Sequence, residues 1–356
     1  MSNPRHTIAI GLSGGTDSAV AAALLLDEGR EVLGLTARFV DPPGGGGDDA
    51  RRAEEICEHL GIRHVTVDAR ERFRTSVILP FAREYASGRT PSPCIVCNET
   101  MKFGFLMDAA AEHGCGLLAT GHYARLEDRK GEVRLLRGAD SHKDQSYFLH
   151  RIDRPRLPKI RFPLGAWHKE DVKAEARRRR LPVRPSRESQ DLCFTDHVSR
   201  GALVASLHPD LTGEGLVRDE TGAVIGKHGG YHLYTLGQRT GIGVATGERR
   251  HVAHIDPAKN EITLAPRSHL LHSSCTVRAL NWLVDPPAEG TLRCRVQPRY
   301  RHRGGFAQVK YAGGEAEVRF DEPQFALTPG QAAVFYDGDR VLGGGWIAAY
   351  RSDLPA

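Results

Sequence analysis

Residues 7–18 read TIAIGLSGGTDS, and this stretch decides the fold. Residues 7–12 are apolar and β-rich and predict a buried strand, while the alanine- and leucine-rich residues 18–28 predict a helix directly behind it. Between them, the glycine-rich turn at Ser13–Gly15 offers backbone N–H groups that can cradle a phosphate beside the helix N-terminus. The turn lacks the Gly-Lys-Ser/Thr end of a Walker A loop and the GxGxxG of dinucleotide-binding folds. The sequence therefore predicts a nucleotide site of another type.

The alternation of strand and helix continues through the first third of the chain and predicts a parallel α/β sheet. Strands are predicted at 30–36, 63–68 and 117–120, and helices at 48–60, 70–86, 102–113 and within 165–181. Residues 41–49 (DPPGGGGDD) predict a mobile loop, and residues 186–199 predict an irregular loop that contains Cys193.

From about residue 213 the pattern changes to short alternating stretches with Gly-rich turns, within 212–230, 241–247 and 280–350. This pattern predicts small antiparallel β domains. We expect three domains: a nucleotide-binding catalytic domain at 1–205, a small central β-rich domain at 206–272, and an antiparallel barrel-like domain at 273–356.

The composition is that of a multidomain globular protein. The chain has 356 residues, against roughly 100–200 for one domain, and 40% of them are hydrophobic. The longest apolar run, residues 19–26, is far short of the roughly 18 residues that span a bilayer, and no secretory leader is recognisable. We therefore expect a soluble cytoplasmic protein without membrane contact. Seven cysteines in such a chain favour thiol chemistry or metal binding over a disulfide scaffold. Residues 151–205 carry a net charge of +7, which predicts a polyanionic partner.

In its strand–loop–helix context, SGGTDS at 13–18 resembles the PP-loop of ATP pyrophosphatases, the adenine nucleotide alpha-hydrolase-like enzymes that cleave ATP to AMP and pyrophosphate while adenylating a substrate. Other segments resemble signatures of the bacterial tRNA-specific 2-thiouridylase family, and together they extend the likeness over essentially the whole chain. They are RTPSPCIVCN (89–98), ATGHY (119–123), KDQSYFL (143–149), YTLGQR (234–239) and TPGQ (328–331).

The resemblance implies 2-thiolation of the wobble uridine in the tRNA anticodon loop. The uracil C2 oxygen would attack the α-phosphate of Mg·ATP, and sulfur from a cysteine persulfide would then displace AMP. A protein that donates persulfide sulfur is an implied partner. The nucleotide-binding residues implied by the resemblance are Gly11, Leu12, Ser13, Gly14, Gly15, Thr16, Asp17, Ser18, Ala37 and Gly121.

The resemblance also assigns the sulfur chemistry. Cys193 would carry the persulfide and Cys97 would be the second catalytic thiol, which closes a disulfide with Cys193 during turnover. A thiolate with a lowered pKa is the competent nucleophile. The tRNA-binding residues implied are Ser92, Pro93, Cys94, His122, Lys143, Asp144, Gln145, Arg299, Tyr300 and Gln331.

Cys94 departs from one familiar form of the family, which has Asp at this position. Cys94, Cys97 and Cys193 together resemble the triad that holds an iron–sulfur cluster in related tRNA thiolases, so a persulfide scheme and a cluster scheme both stay open. Taken without the family, Cys94 and Cys97 could form half of a zinc site, and Cys193 could pack as a small apolar residue.

Two other functions are compatible with the loop. A PP-loop ligase could adenylate or amidate a small metabolite, although the chain has no glutaminase-like segment. An RNA-binding protein could use the nucleotide as a switch, although the positions of Cys97 and Cys193 favour a catalytic role. The arginine runs at 177–180 and 299–303 could contact phosphates or could be solvated charge.

Overall fold

The computed structural model describes residues 7–41, 48–183, 192–195, 198–211, 213–244, 247–286 and 290–351. The α-helices in these ranges are α1 (Thr16–Asp27), α2 (Asp48–Leu60), α3 (Arg70–Phe73), α4 (Leu79–Ala86), α5 (Pro93–Val96), α6 (Met107–Glu112), α7 (Lys169–Arg178) and α8 (Arg200–Leu207). Two π-helical segments are Arg74–Ile78 and Cys97–Leu106, and the 3₁₀ segments are Ser146–Leu149, Arg154–Lys159, Pro209–Leu211, Tyr231–Leu233 and Arg267–Leu270.

The strands are β1 (Thr7–Gly11), β2 (Glu31–Arg38), β3 (Arg63–Asp68), β4 (Leu117–Thr120), β5 (Ala124–Arg129), β6 (Glu132–Arg137), β7 (Ile160–Arg161), β8 (Gly215–Asp219), β9 (Val224–His228), β10 (His251–Asp256), β11 (Glu261–Ala265), β12 (Leu271–Trp282), β13 (Gly290–Gln297), β14 (Gly305–Ala312), β15 (Glu315–Phe325), β16 (Ala332–Asp337) and β17 (Arg340–Arg351).

The chain divides into two compact units, and the first consists of Met1–Val77, Cys94–Phe194 and Asp339–Val341. Its core is a five-stranded sheet in the order β3-β2-β1-β4-β7, with all neighbours parallel. The apolar face of α1 packs with β1 and with α7 in one fully buried cluster. The strand order reverses between β1 and β4, and ligands of such sheets bind at the carboxyl ends of the strands that flank this point. The predicted parallel α/β domain is confirmed.

The sequence predictions for this unit hold to within a few residues for β1–β4, α1 and α2. The predicted helix at 70–86 is interrupted by a π-helical segment, and the predicted helix at 102–113 is π-helical up to Leu106. The hairpin of β5 and β6 was not predicted. Residues 42–47 of the predicted mobile loop, and residues 186–191 and 196–197 of the predicted irregular loop, lie outside the described residues.

The second unit, Ile78–Pro93, Thr195–Gly338 and Leu342–Ala356, is β-rich as predicted. Six strands follow one another in the order β12-β15-β14-β13-β16-β17, and an additional β12–β17 pairing closes them into a barrel. A separate four-stranded sheet has the order β10-β11-β8-β9. The domain boundaries near 205 and 272 stay predictions. None of the helices in the described ranges is both long enough and apolar enough to cross a membrane.

Two expectations for the second unit were wrong. The smaller sheet is not fully antiparallel, because β8 and β11 pair in parallel. The chain between them is long enough for the crossover that a parallel pair requires. The strand predicted within 241–247 is absent from its described residues, since Gly241 and Gly243 have φ values of +72° and +79°, which no strand accommodates.

Candidate active site

The loop after β1 is closed by its own hydroxyl groups. The Ser18 hydroxyl accepts from the Ser13 backbone N–H at 3.3 Å and donates to the Gly15 carbonyl at 3.1 Å. Gly14 has a φ of +70°, and a Cβ there would lie 2.8 Å from the Cβ of Arg52, so this position requires glycine. The first-turn N–H groups of α1 have no acceptor within the helix. The loop therefore presents backbone donors at the positive end of a helix, which suits an anionic ligand.

The turn after β4 lies against the start of α1. β1 and β4 are parallel neighbours with Gly11 paired to Thr120, so both chains leave the sheet at the same edge. A Cβ on Gly121 would lie 2.9 Å from the carbonyl carbon of Asp17 and 2.9 Å from the backbone nitrogen of Ser18. Two segments that the sequence predicted separately to bind nucleotide therefore meet. Ala37, another predicted nucleotide contact, is half-buried near the end of β2.

The Asp17 carboxylate has two donors of its own. Its Oδ1 accepts from the Tyr123 hydroxyl at 2.8 Å and from the Lys169 ammonium at 2.6 Å. The Lys169 side chain is only 15% exposed, and its Nζ lies 5.8 Å from the centre of the Tyr123 ring. Sequence reasoning missed Lys169. A signal was available, because Lys169 is the first residue of α7, where the helix dipole disfavours a cation unless an anion compensates.

Cys94 and Cys97 share an electrostatic neighbour. Cys97 begins the π-helical segment and is 8% exposed, whereas Cys94 is exposed. Burial raises the pKa of both thiols, and the Lys102 ammonium acts in the opposite direction on each. For Cys97 the cost of burying a thiolate outweighs the attraction of Lys102, so its pKa lies above the usual thiol value.

His122, in the turn after β4, contacts the π-helical segment that begins at Cys97. Lys102 Nζ lies 3.3 Å from His122 Nε2 and can only donate, so Nδ1 carries the imidazole proton and donates to the Thr120 hydroxyl at 2.7 Å. Burial, together with Lys102, holds the pKa of His122 well below its usual value. His122 is therefore a neutral acceptor for Lys102. Two adjacent residues thus link two parts of the site. Gly121 lies against the nucleotide loop, and His122 contacts Lys102 of the π-helical segment.

The predicted tRNA contacts at 143–145 have internal partners. Asp144 is buried and accepts from Arg137 Nη1 at 2.8 Å and from the backbone N–H groups of Gly138 and Ser146 at 3.0 Å each. Gln145 Oε1 accepts from the backbone N–H of Tyr123 at 2.9 Å. These two side chains hold the shape of the loop, while Lys143 is half-buried.

Five of the predicted tRNA contacts belong to the second unit. Gln331 Nε2 donates to the Thr90 carbonyl at 2.9 Å, and Arg299 Nη1 donates to the Phe325 carbonyl at 2.8 Å. Tyr300 is half-buried. Ser92 and Pro93 are buried.

The cysteines were the candidates for metal binding. None of the seven forms a disulfide in the described part of the chain, and Cys193 is exposed. Within the described ranges, no group of three or more His, Cys, Asp or Glu side chains is arranged so that it could hold a metal ion. The suggested cluster on Cys94, Cys97 and Cys193 is therefore unsupported, because a cluster requires its thiolates to converge.

Three family models match the chain in succession. Residues 6–197 match the tRNA methyl transferase HUP domain, residues 207–266 the tRNA methyl transferase PRC-barrel domain, and residues 272–347 the aminomethyltransferase beta-barrel domain. The first of these covers more than half of the chain.

Curated relatives that carry the name tRNA-specific 2-thiouridylase MnmA match over nearly the full length. The protein from Syntrophotalea carbinolica is 43% identical over 356 residues, covering 98% of this chain and 100% of that protein. The protein from Acidithiobacillus ferrooxidans is 43% identical over 342 residues, covering 95% and 97%. The protein from Parasynechococcus marenigrum is 42% identical over 358 residues, covering 96% and 90%. By this identity over almost its whole length, the chain belongs to the tRNA-specific 2-thiouridylase family.

Proposed function

We propose that this chain is a tRNA-uridine 2-sulfurtransferase. It uses Mg·ATP to adenylate the C2 oxygen of the wobble uridine, replaces that oxygen by sulfur, and releases AMP and pyrophosphate. The family supports the reaction class, and the cytoplasm, where tRNA is modified, is the compartment we propose. A persulfide-carrying donor protein supplies the sulfur.

The observation that carries the proposal is the turn after β4. Gly121 lies against the backbone at the start of α1, and His122 bonds to Lys102, whose charge acts on the thiols of Cys94 and Cys97. A 2-thiouridylase has to activate a carbon with ATP and then deliver sulfur to that same carbon. A short rigid connection between the anion-binding loop and a cysteine helix fits this requirement.

In the nucleotide step, the backbone donors of Gly11–Ser18 bind the phosphates, and Ala37 and Gly121 contact the rest of the nucleotide. Mg²⁺ in such sites is bound mainly by phosphate oxygens and water with one or two carboxylates, and Asp17 is the carboxylate of this loop. Mg²⁺ supplies charge neutralisation. The Lys169 ammonium, already paired with Asp17, adds a second positive charge beside the phosphates.

In the sulfur step, the terminal sulfur of a Cys193 persulfide attacks C2, and AMP departs with the bonding electrons. The Cys97 thiolate then attacks the Sγ atom of Cys193, which breaks the S–S bond and leaves the second sulfur on uracil. The product is 2-thiouridine and a Cys97–Cys193 disulfide, which an external dithiol reduces. Because Cys193 is exposed, it is accessible to a donor protein.

The tRNA contacts fall into two kinds in this proposal. Lys143, Arg299 and Tyr300 bind the anticodon arm directly. The other implied residues shape the surfaces that receive it, and the side chains of four of them are hydrogen-bonded within their own unit: His122, Asp144, Gln145 and Gln331. Ser92, Pro93 and Cys94 complete this second group.

A PP-loop ligase acting on a small metabolite is not favoured. The similarity to named 2-thiouridylases extends through both β-rich parts of the chain, which such a ligase would not need.

The position of ATP cleavage tests the proposal. With tRNA present, label on the γ-phosphate should appear in pyrophosphate, and its release should require tRNA. ADP and orthophosphate as the primary products would overturn the assignment, because they require attack at the γ-phosphate instead of the α-phosphate.

A further inference from the structure

An exposed aromatic ring lies between two arginines on the outer face of the barrel. β13 and β14 pair antiparallel with Arg295 opposite Phe306. The alternate residues of these strands, among them Val296 and Ala307, are buried in the barrel core. The pleat therefore directs Arg293, Arg295 and Phe306 outward, and the Phe306 side chain is 51% exposed.

A single exposed phenylalanine is ordinary, so the surroundings of this one matter. The guanidinium carbon of Arg295 lies 4.7 Å from the centre of the Phe306 ring, and that of Arg293 lies 5.8 Å from it. Both guanidinium groups are anchored. Arg293 donates to both carboxylate oxygens of Asp321, at 2.7 and 3.3 Å, and Arg295 Nη1 donates to the carbonyls of Arg303 and Gly304 at 3.3 Å each. The ring and the two cations therefore form a preorganised group.

This group belongs to the hairpin that carries Arg299 and Tyr300. Residues 290–306 contain five arginines and no aspartate or glutamate. The bonds from Arg295 to the carbonyls of Arg303 and Gly304 fix the end of the hairpin loop next to β14. A net positive charge around an exposed aromatic ring is complementary to a nucleic acid, whose phosphates bind cations and whose bases stack on rings. A protein interface would also use Arg and Phe, but it would not favour five arginines without an acidic residue in one hairpin segment.

We propose that Phe306, Arg293 and Arg295 form a stacking platform for an unpaired base of the tRNA substrate. The base stacks on the exposed face of Phe306, and the arginines contact the phosphates on either side of it. The platform depends on the proposed function for one point, which is that the bound RNA is the substrate tRNA. It adds a binding residue outside the segments that resemble the family signatures.

The test measures tRNA affinity by fluorescence anisotropy over a range of salt concentrations. Phe306→Ala should weaken binding about fivefold or more, since stacking on one aromatic side chain contributes that much, and should leave the salt dependence unchanged. Phe306→Trp should restore the affinity because it restores a stacking surface. Arg293→Gln should weaken binding and reduce the slope of log affinity against log salt by about one unit.

Val224→Ala provides the matched control. Val224 is 53% exposed on the smaller sheet of the second unit, so its truncation removes a comparable exposed apolar side chain outside the arginine hairpin. Parent-like tRNA affinity of Phe306→Ala, or equal losses in Phe306→Ala and Val224→Ala, would overturn the platform. If the parent protein thiolates tRNA and Phe306→Ala has parent affinity, only the platform fails. If the parent itself binds no tRNA, the proposed function fails.

Discussion

Adding one methyl group to Gly121 should disable the nucleotide site. In Gly121→Ala, the new carbon would lie 2.9 Å from the Asp17 carbonyl carbon and the Ser18 nitrogen, about 0.5 Å closer than the 3.4 Å at which ordinary contact begins. Both neighbours are backbone atoms, so no side-chain rotation relieves the clash. The turn after β4 and the start of α1 must therefore move apart.

The magnitude follows from the cost of overpacking, which is typically about 1–3 kcal/mol. If the displacement is taken up where the phosphates bind, ATP affinity falls roughly 5- to 150-fold, at 1.4 kcal/mol for each factor of ten. The same movement would lengthen the 2.8 Å hydrogen bond from Tyr123 to Asp17. Loss of affinity should therefore accompany a modest drop in melting temperature.

Isothermal titration with ATP and thermal melting measure the two effects in the same samples. Gly229→Ala is the control, because its added carbon would meet only a Leu233 methyl group at an ordinary 3.7 Å. That variant should bind ATP like the parent protein. Parent affinity in Gly121→Ala would refute the reasoning, since it would mean that close packing at this turn does not position the phosphate-binding loop.

Three further outcomes are expected. Lys169→Met removes a partly buried ammonium beside the loop and should slow ATP cleavage about 10²-fold or more, whereas Lys173→Met on the same helix should have no effect; equal rates in both variants would contradict the role. Lys102→Met removes the cation that lowers the pKa of Cys97, so its alkylation by iodoacetamide should reach half-maximal rate at a higher pH, and a shift to lower pH would contradict the sign. Affinity for tRNA should fall steeply with salt, and Arg177→Gln on the exposed side of α7 should reduce the slope of log affinity against log salt by about one unit. An unchanged slope would show that Arg177 contacts no phosphate.

The sequence predicted the nucleotide loop because its information is local. A β-rich run, a Gly-Gly turn and an apolar helix lie within residues 7–28, and each element depends on its own residues. The carboxyl end of β4 could be placed beside this loop by the rule for parallel sheets. The hairpin of β5 and β6 escaped prediction because charged residues such as Arg125, Glu127 and Arg134 obscure its alternation.

Features that depend on distant parts of the chain could not be predicted. Lys169 and Asp17 are 152 residues apart, and only the packing of α7 against α1 pairs them. The pKa of Cys97 depends on its burial, which composition and spacing do not report. The family resemblance implied a tRNA contact for Asp144, and its burial beneath the loop became visible only with its hydrogen bonds.

The most direct test of the account is mass spectrometry of tRNA nucleosides after incubation with the protein, Mg·ATP and a persulfide donor. The parent protein and Cys94→Ser should both produce 2-thiouridine at the wobble position, while Cys97→Ser and Cys193→Ser should not. A methylated nucleoside in place of 2-thiouridine, or full thiolation by Cys97→Ser, would contradict the central claim that this chain activates uridine with ATP and transfers sulfur through its own two thiols.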